Sequence, residues 1–256
     1  MTTVVGLAGH SGVWMAADSL TNVYDRPVSG AEKILRLPIA GNRHVLLGFS
    51  GNAGMPGIVR RIWDADRCLP DEASELQSWC DEIASQLTEP MVAAGMVEDG
   101  MLDGNLLLGV SGRTVGVEST IWTLGHHMAI RHPDDRGAVG SGEGPAIGAL
   151  DALLSCGVPP HDAVRQACKF AIIRDRWSGY PVNEVWLPAT ESPATPNGPS
   201  ASCRRRRSSS RAALGIPCVA TRSHDRSQKG LPVRFQVLLG GGSPRVSDLD
   251  RRDAGE

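Results

Sequence analysis

Thr2-Thr3-Val4-Val5-Gly6-Leu7-Ala8, a break at Gly9-His10-Ser11-Gly12, then Val13-Trp14-Met15-Ala16-Ala17-Asp18-Ser19: these opening residues decide the fold. Two short β-favouring runs flank a Gly/Ser turn, which predicts a hairpin over residues 3 to 8 and 12 to 17 and places the start of the chain inside a sheet. Asp18 closes the second run, so strand pairing returns its carboxyl group to the neighbourhood of Thr2. If Met1 is removed, Thr2 carries both a hydroxyl and a free α-amino group. A threonine hydroxyl is almost fully protonated at neutral pH and needs a base within hydrogen-bond reach. The α-amine, with an ordinary pKa of about 7.7 to 8, is such a base on the same residue.

Beyond the hairpin, strands are expected at Lys33 to Leu37, His44 to Phe49, Asn105 to Val110, Gly116 to Thr123, Met128 to His132 and Glu184 to Leu187, each bounded by turn-forming residues. Two segments with apolar residues three and four apart interrupt them as helix pairs: Gly57 to Asp66 with Ser74 to Leu87, and Pro145 to Ser155 with Pro160 to Arg174. In the last helix Ala163, Val164, Ala167, Phe170, Ala171 and Ile173 form a broad apolar stripe suited to packing on a sheet. Strands, helix pair, strands, helix pair and strand together read as an α+β layered fold.

The 256 residues divide near Ala189. Residues 1–189 have the composition of a globular domain. Residues 190–256 are rich in Pro, Ser, Gly and Arg, and read as a basic tail without packed structure. From residue 191 onward twelve Arg and Lys stand against six Asp and Glu, leaving fourteen against twenty-two before it. The tail reads as a solvated extension rather than a nucleic-acid-binding arm; a frameshifted reading of the gene's end would give a similar text, and no function is placed on it. Six scattered cysteines without CxxC spacing read as buried free thiols in a reducing compartment. His126 and His127 lack a ligand-spaced carboxylate or cysteine, so no metal is expected. No apolar run reaches the roughly 20 residues of a membrane span, and a cytoplasmic location is expected by default.

A threonine-amine site also needs a cation near the amine and a carboxylate to hold that cation. Asp18 and Lys33 are the candidates, although by themselves they read better as a turn residue and a surface charge. Likewise Gly140 and Gly142 read as turn glycines and Ser141 as a helix cap.

Taken in series, these segments resemble the proteasome β subunits and HslV. The matching stretches are Thr2-Thr3-Val4-Val5-Gly6, Met15-Ala16-Ala17-Asp18-Ser19, Glu32-Lys33-Ile34, His44 to Gly51, Ala138-Val139-Gly140-Ser141-Gly142 and Arg174-Asp175-Arg176-Trp177-Ser178-Gly179. The resemblance spans roughly residues 2 to 188. It implies the four-layer αββα sandwich of N-terminal-nucleophile hydrolases and threonine-type peptidase activity without a cofactor. Its carried-over site is Thr2 as nucleophile, Asp18 and Lys33 as charge pair, Gly48 as oxyanion donor, and Ser141, Asp175 and Ser178 around the amine. Leu46 and Leu47 would line the pocket for the residue before the cut. The resemblance further implies a homo-oligomer in stacked rings, peptide or unfolded-protein substrates and an ATPase unfoldase as partner. Lys33 stands one residue closer to the nucleophile than in the family pattern, which a shorter Val23 to Gly30 loop absorbs, and Trp177 is bulkier than usual. Two other functions fit the same fold: a non-catalytic ring or scaffold subunit, and an amidohydrolase acting on a small amide.

Overall fold

The computed structural model describes residues 2–23, 26–98, 101–112 and 118–189. The expected tail, residues 190–256, lies outside them, as do Met1, Gly116 and Val117. The opening hairpin is present as β1 (Thr3–Gly9) and β2 (Gly12–Asp18), paired from Val4 opposite Ala17 to Gly9 opposite Gly12. They form the centre of a four-stranded sheet, flanked by β12 (Arg136–Gly140) and β13 (Val182–Pro188) in the order β12-β1-β2-β13. The second sheet runs β11-β10-β9-β6-β5, from β5 (Ile34–Ile39), β6 (Arg43–Gly51), β9 (Gly104–Val110), β10 (Thr120–Leu124) and β11 (Ala129–Arg131). Two small hairpins complete the strands: β3 (Thr21–Val23) with β4 (Arg26–Val28), and β7 (Val97–Glu98) with β8 (Met101–Leu102). The first of these occupies the loop that carries the shortened connection between Asp18 and Lys33.

Three apolar layers hold four structural ones together. Helices α1 (Met55–Ile62) and α2 (Ala73–Ala93) cover one face of the second sheet through Leu47, Phe49, Leu106, Leu108, Ile83, Leu87 and Met91. Between the sheets lie Val4, Val13, Met15, Ile34, Leu46, Leu107 and Ile121. Val5, Leu7, Ala16 and Ala138 of the first sheet pack under α3 (Glu143–Ser155) and α4 (Pro160–Arg174) through Leu150, Val164, Ala167 and Ala171. The chain is therefore the expected α+β, four-layer αββα sandwich. The central strands bury both faces, which is why their text is continuously apolar rather than alternating.

The sheets approach closely where glycine permits it. A Cβ at Gly48 would lie 2.6 Å from Val4 Cγ1, and one at Gly109 would lie 2.6 Å from Val13 Cγ1. Gly48→Ala is thus expected to destabilise the fold by about 1–3 kcal/mol, the usual effect of overpacking a dense core, read as a lower urea midpoint at unchanged slope.

The remaining differences from the sequence reading have local causes. Helix α2 continues to Ala93 past Pro90, and the segment read only as a turn around Gly140 is preceded by a full strand, β12. The stripe on α4 is narrower than expected: Ala163, Val164, Ala167 and Ala171 are buried with Cys168, while Phe170 and Ile173 face outward. Cys80 and Cys168 are buried free thiols, Cys156 is free but exposed, and Cys68 is not among the free thiols. Among the described residues no helix is long and apolar enough to cross a membrane, and no cluster of His, Cys, Asp or Glu is arranged to hold a metal.

Candidate active site

Strand pairing assembles the site at one end of the first sheet. Thr3 stands opposite Gly140 on one side, and the β1–β2 register carries Asp18 opposite Thr3 on the other. Continuing the β1–β12 register by one residue sets Thr2 against Ser141. Gly140 makes this approach possible: its φ is +104°, and a Cβ there would collide with the Thr2 carbonyl oxygen. Side chains alternate along a strand, so Thr3 faces the α3–α4 layer with Val5, whereas Thr2 projects with Val4 toward the second sheet.

Asp18 is fully buried and its acceptor capacity is fully used. Oδ1 accepts from the Thr3 N–H at 2.8 Å and from Lys33 Nζ at 2.8 Å; Oδ2 accepts from the N–H groups of Leu20 at 3.1 Å and Gly179 at 2.9 Å. Four donors fill the roughly four lone-pair sites of a carboxylate, so Asp18 is committed to holding Lys33 and the strand ends and has nothing left for abstracting a proton. Lys33 also donates to the Leu20 carbonyl, which leaves one of its three N–H groups for a species in the site. Burial pushes the Lys33 ammonium below its usual range, against the opposing pull of the Asp18 charge and hydrogen bond. The salt bridge to Asp18 and the bond to the Leu20 carbonyl fix this cation in place.

Asp175, at the C-terminal end of α4, is the second carboxylate. Its Oδ2 accepts from Ser141 Oγ and Ser178 Oγ, both at 2.6 Å, and its Oδ1 accepts from the Trp177 N–H at 3.2 Å. Among the described residues no second donor meets Oδ1, in contrast to the filled oxygens of Asp18. Burial alone would raise this carboxyl, but the two hydroxyls and the amide outweigh it and hold it below the ordinary carboxylate range. A depressed folded-state value means that the stability from ionised Asp175 is present above the unfolded pKa, about 3.9, and is lost as pH falls through the folded one. Asp175→Asn removes that contribution, so the difference in Tm between wild type and variant is expected to be present at neutral pH and to close in strong acid. The bulk of Trp177 is accommodated outside the site: only its amide enters, and the Arg176 guanidinium lies 4.5 Å from its ring centroid.

Three residues carried over by resemblance sit elsewhere than expected. Gly48 lies in the middle of β6, between Ile34 of β5 and Leu107 of β9. The Phe49 N–H donates to the Lys33 carbonyl on the β5 side, so by strand alternation the Gly48 N–H points the other way, into the β9 ladder. An amide used by the sheet is no oxyanion donor, and the role of Gly48 is sheet packing. Leu46 and Leu47 are both fully buried, one between the sheets and one beneath the helices, with no surface exposed to meet a substrate side chain.

Three residues on, β6 offers a different amide. Asn52 N–H and the side of Ser50 that carries its carbonyl face residues 103 and 104 of the β9 end. Across the planar peptide bond the Gly51 N–H therefore points away from β9, on the side where β5 has already ended at Ile34. Ser50 abuts the same Gly140 position that contacts the Thr2 carbonyl, so this end of β6 borders Thr2. The apolar run Val45-Leu46-Leu47-Gly48-Phe49 contains no periodicity from which this parity is readable.

Sequence reasoning also passed over Thr3, Leu20 and Gly179, which act through backbone groups or a hydroxyl and have no chemical signature in the text. Two other nucleophilic side chains near the site, Thr3 and Cys168, are set aside by their burial. Thr3 is fully buried, with its N–H and hydroxyl both engaged, and burial pushes the Cys168 thiol up to about 12, so it stays protonated.

No family model and no curated protein matches the sequence. Solved structures do match. BPH from Thiobacillus denitrificans in complex with epoxomicin superposes with a TM-score of 0.58 at 19% identity, covering 74% of this chain and 100% of that one. Anbu, an ancestral β-subunit, from Yersinia bercovieri gives 0.54 at 21%, covering 73% and 81%. The helical assembly of the Anbu complex from Pseudomonas aeruginosa gives 0.55 at 18%, also covering 73% and 81%. These likenesses show the fold, which is that of the proteasome-like N-terminal-nucleophile hydrolases.

Proposed function

We propose that this chain, built on the proteasome-like N-terminal-nucleophile fold, is a threonine-type peptidase subunit whose nucleophile is Thr2 once processing leaves it as the first residue. What supports the reading is the residue next to Thr2: Thr3 bonds on one side to Asp18, which holds Lys33, and lies on the other against Ser178, which bonds to Asp175. Asp175 retains one acceptor for the Thr2 amine, and Lys33 retains one donor for the Thr2 oxygen.

In the proposed reaction the Thr2 hydroxyl attacks the scissile carbonyl and its proton passes to the α-amine, with Ser141, exposed at the mouth of the site, as a relay. Asp175 and Ser178 orient the amine. Lys33, held by Asp18, stabilises the Thr2 oxygen as it loses its proton, and the Gly51 amide donates to the oxyanion of the tetrahedral intermediate. Collapse breaks the C–N bond, the α-ammonium passing its proton to the departing amine half of the substrate, and leaves an ester on Thr2, which water hydrolyses with the freed α-amine as base. A non-catalytic scaffold has no need of a lysine kept desolvated against a saturated carboxylate, and the retention of both clusters favours catalysis.

The resemblance to proteasome β subunits and HslV motivates the assembly, a homo-oligomer in stacked rings with peptides or unfolded protein as substrate and an ATPase unfoldase as feeder; the Anbu complex from Pseudomonas aeruginosa forms a helical assembly. The test uses fluorogenic peptides together with epoxomicin, the compound present in the Thiobacillus complex. Peptide hydrolysis that epoxomicin stops is the expected result. Hydrolysis of small amides alone, untouched by epoxomicin, would replace the peptidase reading with the amidohydrolase one.

A further inference from the structure

One residue ties the two halves of the site together, and it is not one of those assigned above. The Thr3 N–H donates to Asp18 Oδ1, the oxygen that also holds Lys33. The Thr3 hydroxyl lies 2.8 Å from Ser178 Oγ. Ser178 spends its single hydroxyl proton on Asp175 Oδ2, so the proton between Thr3 and Ser178 must come from Thr3. The bonds thus run in one direction, from Thr3 O–H to Ser178 O–H to the Asp175 carboxylate, and each donor polarises the next. Thr3 is fully buried, and Gly142, just before α3, leaves the room its hydroxyl occupies, since a Cβ on Gly142 would collide with Thr3 Oγ1. A second tie, from the Gly179 N–H to Asp18 and from the Ser19 N–H to the Gly179 carbonyl, fixes the Asp175–Gly179 segment against the end of β2. Only Thr3 makes a link of this kind from the residue covalently next to Thr2.

We propose that Thr3 is a positioning residue: through its amide to Asp18 and its hydroxyl to Ser178 it sets the distance between the Lys33 and Asp175 clusters and holds Thr2 between them. This rests on the reading of Thr2 as nucleophile. A β-branched hydroxyl is what the position requires, because valine keeps the shape and loses the donor, whereas serine keeps the donor and loses one methyl group.

Two measurements test it. In peptide hydrolysis by the full chain, Thr3→Val is expected to lower kcat by about 10- to 100-fold, the usual penalty for misplacing a reacting group by a fraction of an ångström to an ångström, with KM changed by less than about twofold. Thr3→Ser restores kcat to within a few-fold. In thermal unfolding of the same proteins at neutral pH, the losses in Tm from Thr3→Val and Asp175→Asn are expected not to add, since Thr3 and Asp175 share no contact except through Ser178. Additive losses would overturn the relay whether or not turnover is detected. Thr2-dependent turnover that Thr3→Val leaves intact, or that Thr3→Ser fails to rescue, would overturn the positioning role and leave the Thr2 reading standing. Turnover that survives Thr2→Ala would instead remove the reading on which the inference rests.

Discussion

Thr2→Ala is expected to reduce peptide turnover by roughly 10⁴-fold or more, to a residue of catalysis supplied by oxyanion donors and binding alone. The magnitude follows from the chemistry proposed: without the hydroxyl no ester forms, and no neighbouring group substitutes for it. Thr3 is the nearest hydroxyl in sequence, but it faces the other side of the sheet and its proton is committed to Ser178. Stability should hardly move, because the terminal strand is anchored by Val4 and Val5, both fully buried, and by the Thr3 amide. Unchanged Tm with abolished turnover separates loss of the nucleophile from loss of the fold.

Lys33→Ala is the second large effect and has two parts. Loss of the charge and donor nearest the proposed alkoxide is expected to cost about 10²- to 10³-fold in kcat, as for the loss of a strong electrostatic donor. The protein also loses stability, because Asp18 is left as a buried carboxylate without its cation. Breaking a buried pair by removing one partner typically costs about 3–5 kcal/mol, and the three N–H groups of Thr3, Leu20 and Gly179 that still meet Asp18 reduce that figure here. Adding Asp18→Asn removes the stranded charge. The double variant is expected to recover only part of the stability, because the Asn NH2 must face a backbone N–H on one side, and to remain inactive; recovery of turnover with it would mean that Lys33 serves only to neutralise Asp18.

The parts of this site that were legible in the sequence are those whose chemistry resides in side chains at motif positions. Asp18 was readable because hairpin pairing alone returns the end of β2 to the start of β1. Asp175 and Ser178 were readable only through the family resemblance, since nothing local says that the end of α4 meets Thr3 from a distance of 175 residues in sequence. What failed was the parity of β6. Its residues are buried on both faces, so no polar position marks which amides point toward β5 and which toward β9; the Gly48 amide turns to β9, and the donor we propose, Gly51, stands three residues on. Leu46 and Leu47 failed for the same reason: an apolar residue in a strand buried on both sides has the same signature as a pocket wall. The helices fared better, with α4 starting and ending where Pro160 and Arg174 suggested, because a proline at the first turn and a basic residue in the last are local signals.

The central claim is that Thr2 works with a free amine. It is tested most directly by the intact mass of the purified protein measured on the same preparation as its peptidase activity, fraction by fraction. Activity is expected to track the fraction of chains whose first residue is Thr2. Full turnover by chains that still carry Met1 would contradict it, because those chains have no amine on Thr2 to take the proton.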